Sequence, residues 1–240
     1  MIALNLGCGS RTSERCINID WSVPIRLKAS PVGRRVAPLL IKGERRASYD
    51  AIGGDVLVHD LRKGIPMADA SVDVVYHSHV FEHIDRDAVD GFLAEIHRVL
   101  KPGGVQRIVV PDLERLVRAY LDDLEASVNG SADPMQHDRF VSAFVEQMVR
   151  REASGSSQQS PMRRRAENAL LGDARKRGET HQWMWDRVNI AATLGAAGFQ
   201  EFAVVDYQTS RIPDWPEFGL DRNPDGSEYK PGSLYVECVR

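Results

Sequence analysis

The chain has 240 residues, of which 42% are apolar and 27% charged, and its formal net charge is −3. This composition is ordinary for a globular protein, and the length accommodates one α/β domain with an insertion. The small net charge excludes a general attraction to nucleic acid or to an anionic membrane, and no apolar run approaches the roughly 18–20 residues of a membrane span.

The cysteines indicate a reducing environment. Cys8, Cys16 and Cys238 are too few for a disulfide framework, and no Cys-x-x-Cys spacing suggests zinc. We also expect no secretory leader, because an apolar strand pattern begins at residue 2. These observations predict a cytoplasmic protein without a metal.

Two short apolar runs open the chain. Residues 2–6 lead into Gly7-Cys8-Gly9, and residues 16–19 end in Asp20. Glycine lets the backbone approach a ligand closely, and a carboxylate at the next strand end can accept hydrogen bonds from ribose hydroxyls. The pattern therefore favours a nucleoside-like ligand, although Gly-x-Gly turns after strands are common.

The next two stretches have weaker patterns. Residues 23–40 are interrupted by three prolines, and residues 43–54 are polar and flanked by glycines. Because proline and glycine interrupt regular structure, we expect a loop with a short helix in the first stretch and turns in the second.

Strands then alternate with helices. Apolar residues at helical spacing predict a helix over 87–100, ended by 102–104, and another helix that begins at Pro111-Asp112. Such alternation implies parallel strands joined by right-handed crossovers. We therefore predict an α/β fold with a Rossmann-like, doubly wound, mostly parallel seven-stranded sheet. The remaining predicted elements are strands at 55–59, 72–76, 105–110, 199–205 and 233–239 and a helix at 183–197.

An insertion interrupts this alternation after the fifth strand. Residues 128–180 contain a predicted helix between residues 134 and 151, a Ser/Gln-rich run at 154–160 and a polar helix with a basic face. We expect a helical, lid-like insertion within one domain that spans residues 1–240.

Several motifs in the first half resemble those of class I S-adenosylmethionine-dependent methyltransferases. The Glu-His-Ile run and the Val-Leu-Lys-Pro-Gly-Gly run are the most specific. The full series is LNLGCG (4–9), INID (17–20), DASVDVV (69–75), VFEHI (80–84) and RVLKPGG (98–104), with looser agreement at 197–199 and 233–237.

The resemblance implies roles for individual residues. Asp20 would hold the ribose hydroxyls of S-adenosyl-L-methionine, with Trp21 beside the adenine. Asp60 and Leu61 match positions that usually meet the adenine ring. His77 matches the backbone turn near the methionine moiety, which the turn Gly7, Cys8 and Gly9 would also meet.

The chain departs from the family pattern at three points. Asn5 stands where the family usually has an acid, and Arg11 where it often has a third glycine. Residues 10–15 replace a full helix between the first two strands. This shortened form is similar to a bacterial subgroup found with polysaccharide- and sugar-modifying enzymes.

Three residues are candidates for catalysis. His79, at the tip of the fourth strand, is the first candidate base, because histidine titrates near neutrality; it could instead only bond a neighbouring loop. Asp112 could accept a substrate proton or simply cap a helix. His181 could bind or deprotonate a sugar-like acceptor, or lie in a helix start capped by Thr180.

The resemblance implies methyl transfer, and we expect the acceptor to be a hydroxyl of a small or saccharide-containing molecule. The arginine clusters at 150–151, 163–165 and 175–177 are solvated or bind a phosphate. The alternatives are an RNA or protein methyltransferase, with nucleic acid less favoured, and a non-catalytic partner subunit that binds the cofactor. The sequence leaves the oligomeric state open.

Overall fold

The fold is built on one seven-stranded sheet in the computed structural model, which describes residues 1–41, 43–53, 55–131, 133–148 and 180–240. The strand order is β3-β2-β1-β4-β5-β7-β6. All pairs are parallel except those that β7 makes with β5 and β6. The strands are β1 (Ala3–Leu6), β2 (Ile17–Asp20), β3 (Val56–Val58), β4 (Val72–Ser78), β5 (Leu100–Pro111), β6 (Gln200–Val205) and β7 (Ser233–Val239).

Helices connect the strands and cover the sheet. The apolar side chains of α4, spaced at three and four residues, face the largest core cluster together with β1, β4 and β5. Described residues include no helix with both the length and the apolarity to cross a bilayer. The helices are α1 (Val23–Ala29), α2 (Pro31–Leu40), α3 (Glu44–Ala51), α4 (Val89–Val99), α5 (Leu113–Val128), α6 (Pro134–Met148) and α7 (Arg187–Ala196).

The topology creates a crevice where the chain reverses direction across the sheet. From β1 the chain moves outward to β2 and β3, then returns to β4 on the other side of β1. In open α/β sheets, ligands bind at such a switch point, beyond the carboxyl ends of the strands. The predicted doubly wound, mostly parallel fold is confirmed.

Two predictions between β2 and β3 are wrong. Residues 23–40 form two helices, and residues 44–51 within the expected turn region form α3. Pro24 and Pro31 lie in the first turns of α1 and α2, where proline loses no helical hydrogen bond. These prolines begin helices and do not interrupt them.

The short connection between β1 and β2 is confirmed, since no helix lies between these strands. Two amides hold it. The Asn5 side chain donates to the Arg11 carbonyl at 2.8 Å and to Asn18 Oδ1 at 3.0 Å. Asn18 in turn bonds both backbone groups of Ser13. Asparagine therefore replaces the usual acid because this loop requires a donor.

A helical insertion follows β5, as predicted. Helices α5 and α6 pack together through Tyr120, whose ring stacks on Phe144 with centroids 5.3 Å apart. The predicted polar helix, the run at 154–160 and the arginine clusters lie largely outside the described residues. The predicted helix 183–197 begins only at Arg187, because Asp186 forms a capping box with Asn189.

Candidate functional site

The glycine turn lies at the carboxyl end of β1. Gly7 has φ of +64° and Gly9 has φ of +53°, both in the left-handed region. A Cβ on Gly7 would approach Cγ2 of Val80 to 2.5 Å, whereas a Cβ on Gly9 would meet nothing within 4 Å. Gly7 is thus required by packing, and the space beside Gly9 is open to a ligand.

Asp20 connects the end of β2 to this turn. Its carboxylate accepts the Gly9 N–H at 2.8 Å and the Ser22 N–H at 2.6 Å. Trp21 is 39% exposed and has the Arg26 guanidinium 4.6 Å from its ring centroid. The structure brings these residues together with Gly7 and Gly9 at one edge of the sheet.

Cys8 is buried within the turn and has no activated thiol. Burial, followed by the negative charge of Asp20, raises its pKa to about 12. The thiol is therefore protonated at neutral pH and fills space as a small apolar group.

Asp60 and Leu61 lie just beyond β3, next to the same edge. The Asp60 carboxylate accepts from Arg62 Nε at 2.8 Å and from Arg62 Nη2 at 2.7 Å. These hydrogen bonds lower the Asp60 pKa, so the group is a carboxylate at neutral pH. Leu61 packs partly buried against the main core. Arg62 is a partner that sequence reasoning did not foresee.

The His77 side chain lies in the core below the site. The backbone of His77 in β4 pairs with that of Leu6 in β1. The imidazole ring is fully buried between Phe81 and Phe92. Its Nε2 is 3.1 Å from the Gln106 amide nitrogen. Burial lowers its pKa to about 4, so the ring is neutral. Only its backbone can face the crevice, which is the contact that the resemblance implies.

His79 turns the chain sharply after β4. It has φ of +53°, an uncommon conformation for a residue with a side chain. Its Nε2 is 3.0 Å from Ser233 Oγ, and its Nδ1 is 3.2 Å from Glu82 Oε1. The imidazole is therefore placed between a hydroxyl and a carboxylate at the sheet edge.

Asp112 lies near His79, at the end of β5. Its backbone N–H donates to the Gly232 carbonyl at 3.3 Å, one residue before Ser233. Its side chain caps α5 by accepting the Arg115 N–H at 3.3 Å. The carboxylate also lines an open cleft of about 420 Å³ with Arg118, Arg187 and other residues. Both roles considered from the sequence remain available to Asp112.

His181 belongs to a segment fastened to the turn after β4. The Glu82 carbonyl accepts the N–H of Gln182 at 2.7 Å and that of Trp183 at 3.3 Å. Phe81 stacks on Trp185 with ring centroids 4.4 Å apart. The ring centroids of His83 and His181 are 4.9 Å apart. The structure thus brings together two histidines from opposite halves of the chain.

Glu82 is the central residue that sequence reasoning missed. Its side chain is fully buried; within the described residues His79 Nδ1 is 3.2 Å from Oε1, and Oε2 has no hydrogen-bond partner. Burial opposes its charge, yet the facing His79 and His83 lower its pKa. Its place in the Glu-His-Ile run was the available signal. One donor atom each from Glu82, His83 and His181 lies within 4.8 Å of the others, close enough to hold a metal ion.

An open cleft lies beside the predicted cofactor residues and does not include them. It has a volume of about 450 Å³ and is bounded by residues 10–15, Ala51 and residues 217–219. Arg11, at the position of the family's third glycine, turns its guanidinium onto Tyr229, 4.3 Å from the ring centroid.

The chain was compared with known proteins. Residues 4–108 match the model of a methyltransferase domain. No curated protein matches the chain significantly.

Similar solved structures include S-adenosylmethionine-dependent methyltransferases from Aquifex aeolicus and Archaeoglobus fulgidus. The first is 14% identical and has a TM-score of 0.42, with 100% of this chain and 81% of that chain covered. The second is 12% identical and has a TM-score of 0.43, with 99% and 85% covered.

A third is the Burkholderia thailandensis 1,6-didemethyltoxoflavin-N1-methyltransferase with bound 1,6-didemethyltoxoflavin and S-adenosylhomocysteine. It is 16% identical, with 100% of this chain and 70% of that chain covered and a TM-score of 0.43. At these identities and scores, none of the three bears on the acceptor. The domain match covers β1 to most of β5, where the glycine turn and Asp20 lie, and it identifies this part of the chain as similar to a methyltransferase domain.

Proposed function

We propose that the enzyme methylates a hydroxyl of a small or saccharide-containing acceptor. The observation that carries this proposal is the attachment of residues 180–185 to the turn after β4. Through the Glu82 carbonyl, this segment lies beside the glycine turn, which Val80 contacts. Trp183 remains 45% exposed there. An exposed indole among polar groups suits an acceptor that has both an apolar face and hydroxyls.

The proposed cofactor site consists of Gly7, Cys8, Gly9, Asp20, Trp21, Asp60, Leu61 and the backbone of His77. Bound there, S-adenosyl-L-methionine supplies an activated methyl group. In the transfer, the acceptor oxygen would replace sulfur on the methyl carbon, S-adenosylhomocysteine would leave, and the hydroxyl proton would pass to a candidate base such as His79 or Asp112. The protein's part is to align the two reactants and to exclude water.

Three side chains are proposed to meet the acceptor. His79 and Asp112 flank residues 232–233, so they can contact one ligand from two sides. His181 approaches from the segment that also carries Trp183. A carboxylate or an imidazole can act as the general base that a hydroxyl nucleophile benefits from, whereas a neutral amine needs less help, which supports an alcohol as acceptor.

Two further proposals concern organisation and location. Strands β6 and β7, which follow the insertion, join the same sheet as β1 to β5, and this supports a single domain with residues 128–180 as a lid. All three cysteines are free thiols, which supports a cytoplasmic location.

The test is a radiolabelled methyl-transfer assay on separate panels of saccharides, small alcohols and phenols, amines, RNA and protein. We expect label only on hydroxyl acceptors, with the O-methyl group located by mass spectrometry. Transfer confined to RNA or protein would replace the proposal. Cofactor binding without turnover on any panel would favour a non-catalytic subunit.

A variant pair tests the place of the acceptor. Trp183→Ala should raise the acceptor KM at least about fivefold, because an aromatic contact contributes roughly 1 kcal/mol, while S-adenosylhomocysteine affinity stays unchanged. Val188→Ala is the control, because Val188 is 73% exposed on α7. An unchanged KM in Trp183→Ala would remove this segment from the acceptor site.

A further inference from the structure

We propose that Glu82, His83 and His181 bind a divalent metal ion, with zinc as the best match. The site would join the turn after β4 to the segment that follows the insertion. It goes beyond the methyl-transfer activity, and in the metal-bound protein His181 would hold the ion and would not contact the acceptor. Its test measures metal binding directly.

The first argument is the state of Glu82. A fully buried carboxylate is normally compensated by several hydrogen bonds, because transfer of its charge out of water is costly. Glu82 is 0% exposed, and within the described part of the chain its Oε2 lacks a hydrogen-bond partner. Its Oε1 lies 3.2 Å from His79 Nδ1 and 3.8 Å from His83 Nε2. A metal ion would compensate this carboxylate.

The second argument is the orientation of the histidines. His83 Nδ1 is 3.0 Å from the Thr180 carbonyl, and His181 Nδ1 is 2.7 Å from the Gln147 carbonyl. A carbonyl can only accept, so each Nδ1 carries the proton, and in the neutral ring the other nitrogen is the basic one. Metal-binding histidines are commonly held in this way, with one ring nitrogen donating to a carbonyl.

The distances are compatible with closure around an ion. Donor atoms of the three residues lie within 4.8 Å of one another. In a tetrahedral zinc site with bonds of about 2.0–2.2 Å, donors are about 3.3 Å apart, so side-chain movements of about 1 Å would close the site. Two imidazoles and one carboxylate are a ligand set that zinc accepts, and imidazole is unsuited to magnesium or calcium.

The test uses the full-length protein, stripped with a chelator and titrated with Zn²⁺ against a chromophoric competitor. We expect one ion per chain with a Kd of about 1 μM or tighter. Co²⁺ should give visible absorption typical of a four- or five-coordinate site with nitrogen ligands. Absence of stoichiometric binding would overturn the proposal.

Variants locate the site. His83→Ala and His181→Ala should each weaken Zn²⁺ binding by about 100-fold or more, and Glu82→Gln should do the same. His97→Gln is the matched control, because His97 packs on Phe199 away from the cluster. Cooperative unfolding and S-adenosylhomocysteine binding show that each variant is folded. Folded variants that keep full zinc affinity would contradict the assignment.

Discussion

The carboxylate of Asp20, at the end of β2, accepts a 2.8 Å hydrogen bond from the backbone N–H of Gly9 in the turn after β1. The acid therefore shapes the glycine turn, besides facing the proposed ribose site. Asp20→Ala should weaken S-adenosylhomocysteine binding at least about tenfold in calorimetric titration, because loss of a hydrogen bond to a charged group costs roughly 1.5–3 kcal/mol.

Asp50→Asn provides the control, because Asp50 is an exposed carboxylate paired with Arg46 on α3. Its affinity for S-adenosylhomocysteine should equal that of the wild type. An Asp20→Ala protein that binds as tightly as the control would remove Asp20 from the cofactor site.

Gly7→Ala should lower the free energy of unfolding by about 2–4 kcal/mol, measured in urea, because strained backbone and overpacking each cost roughly 1–3 kcal/mol. Gly9→Ala should cost only about 1 kcal/mol, since its φ is also positive but its Cβ would enter open space. Val80→Ala combined with Gly7→Ala should recover part of the loss. Equal destabilisation by the two glycine variants would contradict this packing argument.

Asn5→Asp would restore the family's usual acid but should destabilise this chain by about 1–3 kcal/mol. The Asn5 amide donates to the Arg11 carbonyl and to Asn18 Oδ1. A carboxylate at this position has no hydrogen to donate, so its oxygen would lie against two other acceptor oxygens. Urea unfolding at pH 8 measures the change. A variant as stable as the wild type would mean that the short connection does not depend on this amide.

His77 should make stability fall as pH falls. Burial lowers its pKa to about 4 from the ordinary 6.5. Below pH 6.5 the unfolded chain therefore binds a proton that the native protein does not bind until about pH 4. From pH 7.5 to 5 the free energy of unfolding should drop by about 2 kcal/mol through this group.

The measurement is urea unfolding at several pH values for the wild type and His77→Gln. The variant lacks the titrating ring, so its stability should depend less on pH in this window by that amount. Parallel pH profiles for the two proteins would show that His77 is already accessible to protons in the folded state.

The sheet was largely predictable because its strands are short apolar runs bounded by glycine, proline or acids. The errors in the helix predictions arose at residue types, such as proline, that can either interrupt a helix or begin one. Pro24 and Pro31 begin helices, and Asp186 delays the start of α7 with Asn189 as its capping partner. These positions depend on the local register of a helix, which composition alone does not reveal.

The candidate site was predictable where it lies on strand ends and not where it depends on distant contacts. Gly7, Gly9 and Asp20 lie close together because β1 and β2 are adjacent and parallel. The contact of His83 with His181 joins residues about a hundred positions apart, and no periodicity predicts it. The burial of Glu82 also follows only from the tertiary structure.

The end of α6 lies beside the segment that begins at residue 180. Gln147, near the end of α6, places its carbonyl 2.7 Å from His181 Nδ1. Residues on either side of 149–179 are therefore neighbours in space, and a few glycine and serine residues could span them. Because closure free energy changes slowly with loop length, segments of very different size could be exchanged here during evolution without disturbing the sheet. A lineage could thus vary the length of this segment while the sheet and the glycine turn are retained.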